Sequence, residues 1–192
     1  MEIFFKLELP YILFYVITFF WILEFIVFPS KYESDDYSEK KSFLIILAII
    51  ISTITATIIT TFLGWFTLSL DTPVFRIVGI LFYTLGILLR YISTLYLGRY
   101  FTRNVEVSKD QTLISHGPYR ILRHPLYLGL FLLLISVPLF FANWGMFILG
   151  TLAIGYVLNQ RMKIEEASME KVLGKTYQEW KSKRYRFIPF IY

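Results

Sequence analysis

Apolar residues along this chain gather into long, unbroken runs, rich in Leu, Ile and Phe, set apart by short polar segments. Five runs stand out, at residues 10–28, 43–66, 74–97, 126–141 and 144–160. A soluble core of this size does not need runs that long. The first three have the roughly 20 residues that an α-helix needs to cross a hydrocarbon core. The last two are short and are separated only by Ala142 and Asn143, so they predict a tight helical hairpin. Pro138 should end or kink the first arm of that hairpin. The pattern predicts an all-α, polytopic integral membrane protein with about five transmembrane helices.

Composition agrees. Of 192 residues, 56% are hydrophobic and 19% aromatic, well above soluble proportions. The length suits a single domain, 1–192, in which three N-terminal spans (1–97) precede a half (98–192) that holds most of the polar chemistry. The absence of cysteine excludes disulfides, Cys-ligated zinc, iron–sulfur clusters and a thiol nucleophile. A net charge of +5 could suggest nucleic acid. In a membrane protein, basic loops more often record topology and contact with anionic headgroups, so the partner expected here is the lipid bilayer and not nucleic acid.

Lys and Arg fall on alternate loops. Lys31, Lys40 and Lys41 follow the first run, and Arg99, Arg103, Lys109, Arg120 and Arg123 follow the third. A basic tail from Arg161 to Arg186 follows the fifth, while the loops around Asp71 and Asn143 carry almost no cations. Five spans with a cytoplasmic C-terminus satisfy this alternation. The first run is too long for a signal-peptide core and no small-residue cleavage site follows it, so its removal is not expected. Residues 31–41 form a charged linker. The long polar block before the fourth run and the C-terminal tail then share one membrane face, where they can meet over the mouth of the bundle.

That block, His116-Gly-Pro-Tyr-Arg-Ile-Leu-Arg-His-Pro-Leu-Tyr-Leu-Gly129, contains both histidines of the chain. Each proline pushes the residue before it out of the α region. Pro125 suits the first turn of the fourth helix, which places His124 at that helix's N-terminus, beside amides that favour anions. Gly129 permits close approach of a ligand or another helix. The plainer alternative is an interfacial loop with Arg and Tyr at headgroup depth. A second constellation, Arg161-Met-Lys-Ile-Glu165-Glu166, puts Arg161 and Glu165 on one helix face. It is either a surface ion pair or a pair facing a wet cavity at the membrane exit of span five. Gly174 reads as a helix stop, with aromatic and basic residues beyond it as interfacial anchors. Glu24 is near enough to the end of the first span to reach headgroups. Arg90 either snorkels or turns inward.

The sequence Leu113-Ile-Ser-His-Gly-Pro-Tyr119, then Arg123-His-Pro-Leu-Tyr127-Leu-Gly129, then Arg161…Glu165-Glu166, then Gly174…Tyr177…Arg184…Pro189, resembles the isoprenylcysteine carboxyl methyltransferases and their prokaryotic relatives. The likeness covers residues 97–190, and the N-terminal half shares only its hydrophobic spans. It implies a helical membrane enzyme that uses S-adenosylmethionine without a Rossmann fold; no Gly-x-Gly-x-x-Gly follows any strand-like segment here. The cofactor pocket would be cytoplasmic, formed by the loop before span four and the C-terminal helix. Carried over by motif, the cofactor contacts are Asn104, Gln111, Thr112, Leu113, Ile114, Tyr119, His124, Pro125, Leu126, Tyr127 and Glu165. Asn104 stands where the family can have Gln, and Gln111 where eukaryotic members can have His. Arg161 matches the arginine expected to hold a substrate carboxylate, so Arg161 and Glu165 are the catalytic candidates, with no metal. The wider superfamily includes phospholipid N-methyltransferases and sterol reductases. The reductases favour Asn where this chain has Leu126.

On this resemblance the substrate is a lipophilic small molecule or prenylated peptide, isoprenylcysteine-like, methylated on its carboxylate at the membrane–cytoplasm interface. The membrane would be the plasma membrane in a prokaryote and the endoplasmic reticulum in a eukaryote. Two other readings stay open: methylation of a phospholipid or other lipid amine, which needs a route for a proton, and a non-enzymatic membrane scaffold whose polar loop binds a partner.

Overall fold

A computed structural model describes residues 8–27, 37–68, 73–98 and 112–190. Within them the chain is all helical: α1 (Leu9–Val27), α2 (Tyr37–Phe62), α3 (Pro73–Leu97), a 3-10 turn (Gly117–Arg120), α4 (Pro125–Phe140), α5 (Trp144–Leu173) and α6 (Lys175–Ser182). Among the described residues there is no strand, only isolated bridges at Thr67–Asn143 and Leu122–Tyr185. Among the described residues two helices, Lys41–Phe62 and Pro73–Leu97, are long and apolar enough to cross a membrane, and Leu9–Glu24 and Pro125–Phe140 are shorter apolar helices. Large hydrophobic side chains such as Phe19, Ile51, Leu85 and Leu152 stand exposed on the outer faces.

Side-chain contacts fix the helix directions. Thr18 meets Tyr83 and Glu24 meets Arg90, so α1 and α3 run parallel. Gly79 abuts Phe140 and Gly86 abuts Gly129, so α3 and α4 run antiparallel. Ser42 meets Arg161 and Gly150 abuts Thr53, so α2 and α5 run antiparallel. The α3–α4 contact is close because glycines face each other. A Cβ on Gly86 would stand 2.8 Å from the Gly129 carbonyl, and one on Gly129 would stand 2.6 Å from Arg90 Cγ. An apolar core of Phe14, Tyr83, Ile87, Leu133, Val137 and Phe140 seals α1 onto that pair. A second core, with Leu134, Ile154, Leu158 and Met162, joins α4 to α5.

The turn chemistry decides where helices begin and stop. Pro125 is in the first turn of α4, with His124 as N-cap, and Pro138 lies two residues before the end of that helix. Residues 141–143 make the tight return, and the Asn143 side chain caps α5 by accepting from the Met146 amide at 3.0 Å. No breaker follows Gln160, so α5 continues as one 30-residue helix until Gly174, whose φ of 53° suits the residue without a Cβ. The polar segment from Arg161 to Glu166 is thereby carried rigidly on the helix that crosses the bundle. The directions gather Glu24, Ser42, Arg90, His124 and Arg161 at one end, and Thr60 and Asn143 at the other.

Candidate active site

The site is built where the N-terminus of α4 meets the polar extension of α5. His124, 6% exposed, stacks on Tyr127 with ring centroids 5.5 Å apart. Its Nε2 lies 3.0 Å from Glu166 Oε1. An ionised carboxylate only accepts, so Nε2 carries the proton. Nδ1, on the other edge, lies 3.8 Å from Glu165 Oε2. The imidazole is therefore set between two carboxylates.

Those adjacent glutamates do different work because successive helical positions point about 100° apart. Glu165 accepts a hydrogen bond from the Tyr127 hydroxyl at 2.8 Å. The same hydroxyl accepts from Arg161 Nε at 3.0 Å, and Arg161 Nη1 donates to Ser42 Oγ of α2 at 3.2 Å. Arg161 is only 4% exposed. A phenol and a hydroxyl thus help to hold its charge inside the bundle end.

Glu166 is a clasp. Arg123 Nη1 donates to it at 2.8 Å and Arg186 Nε lies 3.2 Å away, beside the His124 contact. Burial would raise its carboxyl, but the His124 hydrogen bond and the charges of His124, Arg123 and Arg186 outweigh that and lower it. The clasp ties three separate segments: the loop before α4, α5 and the tail after α6. Backbone bonds between Arg123 and Tyr185 (2.8 Å) and between Tyr185 and Ile121 (3.0 Å) continue the seam. Arg184 donates to the Tyr119 carbonyl at 2.7 Å and packs over Trp180 at 4.5 Å, while Trp180 Nε1 donates to the Ile114 carbonyl at 3.0 Å. The aromatic and basic residues expected to be mere anchors instead hold the 114–123 segment in place.

Tyr119 is the unusual member. Its ring is buried and its hydroxyl has no hydrogen-bond partner among the described residues. Burial pushes the hydroxyl well above its ordinary range, Glu165 and Tyr127 push the same way, and Arg90 opposes them. Tyr177, under the clasp, is also raised, first by burial and then by Glu166 and Glu165.

Of the residues singled out from sequence, His124, Tyr127, Arg161 and Glu165 come together through these contacts, and the Tyr119 hydroxyl lies within electrostatic reach of Glu165 and Tyr127. Ile114 is held by Trp180, Leu113 is half-buried and Thr112 exposed in the irregular lead-in, and Pro125 and Leu126 form the first turn of α4. Asn104 and Gln111 lie outside the described residues. Sequence reasoning missed the central part of Glu166 and Arg186 and the contribution of Ser42. Glu24 does not reach for headgroups: it is 1% exposed and paired with Arg90, which turns inward. An acidic residue near a span end reads as snorkelling until a cation 66 residues away is seen opposite it.

This polar end lies largely within a stretch that known proteins share. The model of the Isoprenylcysteine carboxyl methyltransferase (ICMT) family matches residues 78–171. Over that stretch the chain is similar to the isoprenylcysteine carboxyl methyltransferases. A probable protein-S-isoprenylcysteine O-methyltransferase of Oryza sativa subsp. indica is 29% identical over 116 residues, 59% of this chain and 61% of the rice protein. The protein-S-isoprenylcysteine O-methyltransferase of Schizosaccharomyces pombe is 30% identical over 112 residues, 57% of this chain and 48% of its own. The chain thus spans about half to three-fifths of the length of these curated relatives. A solved structure of a eukaryotic intramembrane Ras methyltransferase, ICMT, superposes with a TM-score of 0.68 at 23% identity, covering 98% of this chain and 70% of the other. That likeness establishes the helical fold. The family match begins inside α3, so α1 and α2, which supply Glu24 and Ser42, lie outside it.

Proposed function

We propose that the charged end of this bundle binds S-adenosylmethionine and methylates the carboxylate of a lipophilic, isoprenylcysteine-like substrate at the membrane–cytoplasm interface. The observation that carries this is a buried arginine, Arg161, held by Tyr127 and Ser42 one helical turn from Glu165, beside a Tyr119 hydroxyl that feels Glu165 and Tyr127 and has no hydrogen-bond partner among the described residues. The residues present suit the cofactor. Glu165 offers oxygens to an ammonium or to ribose hydroxyls, the amides at the α4 N-terminus suit a carboxylate, and Tyr119 has a hydroxyl to satisfy. S-adenosylmethionine would supply an electrophilic methyl on a sulfonium.

The protein's own part is small in chemistry and large in placement. A carboxylate is already ionised at neutral pH, so no residue need act as base. Arg161 orients that carboxylate. Holding reactants in line can lower a barrier by roughly 7–11 kcal/mol. Arg161 donates to the neutral phenol of Tyr127, which fixes the direction of its guanidinium plane. The Glu166 clasp closes the 114–124 segment over the site and restricts water. Exposed apolar faces on α1, α2 and α3 suit lipid, and the alternation of Lys and Arg along the sequence supports five spans with the charged end cytoplasmic. Reporter fusions after Asp71 and Tyr192 should then fall on opposite sides of the membrane, and both on one side would overturn that topology.

Incubating membranes that contain the protein with methyl-labelled S-adenosylmethionine and a prenylated cysteine substrate tests the reaction. The expected product carries label that mild base releases as a methyl ester. Base-stable label on a lipid amine would make the protein an N-methyltransferase, and saturable binding of a partner with no label transfer would make it a scaffold.

A further inference from the structure

Glu24 and Arg90 form an ion pair that the proposed chemistry does not use. Glu24 is on α1 and Arg90 on α3, with side chains 1% and 11% exposed. Both carboxylate oxygens are engaged: Nε donates to Oε2 at 2.7 Å and Nη2 donates to Oε1. A fully formed fork at this depth fixes orientation as well as charge. The arginine stem is equally fixed, because it crosses the glycine gap of the α3–α4 contact, against Gly129 and two residues along the chain from Tyr127. The nearby Tyr91 hydroxyl is engaged with the Phe20 carbonyl at 2.7 Å, so a second bond joins the same two helices. A clamp between α1 and α3 would need no more than that bond and the aromatic core. Ionisable groups inside a bundle are costly, and their persistence asks for a further reason.

The reason lies in what Arg90 faces. The 3-10 turn that carries Tyr119 packs on α3, the helix of Arg90, with Gly117 directly against the Tyr96 ring, and the charge of Arg90 acts on the Tyr119 hydroxyl, as do Glu165 and Tyr127. Arg90 therefore lies on the helix that backs the proposed donor site. A bare guanidinium there would repel a cation through a poorly screened interior. We propose that Glu24 is a positioning residue whose carboxylate neutralises Arg90, so that the pocket beside Tyr119 accepts a methyl donor bearing a positive sulfonium. The inference rests on the assignment of S-adenosylmethionine to this site. It gives α1, which lies outside the family match, a part in recognising the donor's charge.

The test compares two ligands that differ by one methyl and one positive charge: S-adenosylmethionine and the neutral thioether S-adenosylhomocysteine. Equilibrium affinities for both are measured on the purified full-length wild type, Glu24→Gln and Arg90→Met. Glu24→Gln keeps the shape and leaves Arg90 uncompensated. It is expected to weaken the sulfonium ligand on the order of tenfold more than the thioether. Arg90→Met removes the cation, and is expected to keep or raise the preference for the sulfonium; it also keeps the question open should Glu24→Gln fail to fold. Parallel losses for both ligands in Glu24→Gln, an unchanged ratio, or a fall of the ratio in Arg90→Met would make the pair a structural clamp and overturn the inference. A wild type that binds neither ligand would remove the donor assignment and this inference with it. A wild type that binds both, with no charge-dependent change in the variants, leaves the donor assignment standing alone.

Discussion

The two ends of the helix bundle bury comparable polar groups to different effect. At one end Asn143, 1% exposed, caps α5 through the Met146 amide and donates to Thr60 (2.8 Å), Thr61 (3.2 Å) and the Trp65 carbonyl (3.4 Å). Every one of those bonds is neutral, and together they account for a helix end and a chain return that would otherwise leave backbone groups unsatisfied. At the other end, Arg123, His124, Arg186 and Glu166 converge, with Arg161, Tyr127 and Glu165 alongside. Capping α4 does not require this, since His124 makes no side-chain cap bond. Closing a helix end takes one asparagine; the surplus of buried charge at the other end is what the proposed donor site rests on.

Removing the centre of the charged end should have the largest effect. Glu166→Gln strips the carboxylate from under two arginines and a histidine, and should lower folding stability by about 3–5 kcal/mol. The pH dependence follows from the lowered carboxyl. The clasp contributes fully above the ordinary carboxylate range and is lost as pH falls through the depressed folded value. Thermal unfolding in detergent across pH should show this acid limb in the wild type and not in Glu166→Gln.

Arg161→Ala should spare the fold more and the reaction less. Losing a desolvated, charge-assisted contact should cost about 2–4 kcal/mol in turnover. Affinity for S-adenosylmethionine should change little, and Arg161→Lys should rescue only in part because an ammonium lacks the planar fork. Single-turnover methylation and cofactor affinity, measured on the same preparations, separate the two effects. Equal losses in both would make Arg161 structural.

The neutral end gives the smallest response. Asn143→Ala should lower stability by about 1–2 kcal/mol, the range for a lost N-cap, and leave cofactor affinity and turnover of the folded fraction unchanged. A selective loss of affinity there would break the contrast between the two ends.

Much of this was legible in the sequence because it is local. Pro125 starts α4, Pro138 stands near its end, Gly174 stops α5, and Gly129 marks a close approach; each follows from the backbone preference of a single residue. The alternation of basic loops predicts that residues 116–129 and 161–166 share one membrane face. What the sequence could not show depends on rotational phase across distance. Glu165 and Glu166 are neighbours in sequence, and only the packed phase of α5 sends one to Tyr127 and the other to the clasp. Arg186 and Ser42 sit in segments whose polarity looked incidental. Glu24 and Arg90 each read as a boundary charge, because nothing local links positions on two helices that become parallel neighbours only through the core of Phe14 and Tyr83.

Photo-cross-linking of labelled S-adenosylmethionine to the purified protein, followed by mapping of the labelled peptides, tests the contrast most directly. Saturable label is predicted within residues 112–127 and on the stretch of α5 around Glu165. Label at residues 60–68 or 141–146, or no saturable label at all, would contradict the assignment of the charged end as the donor site.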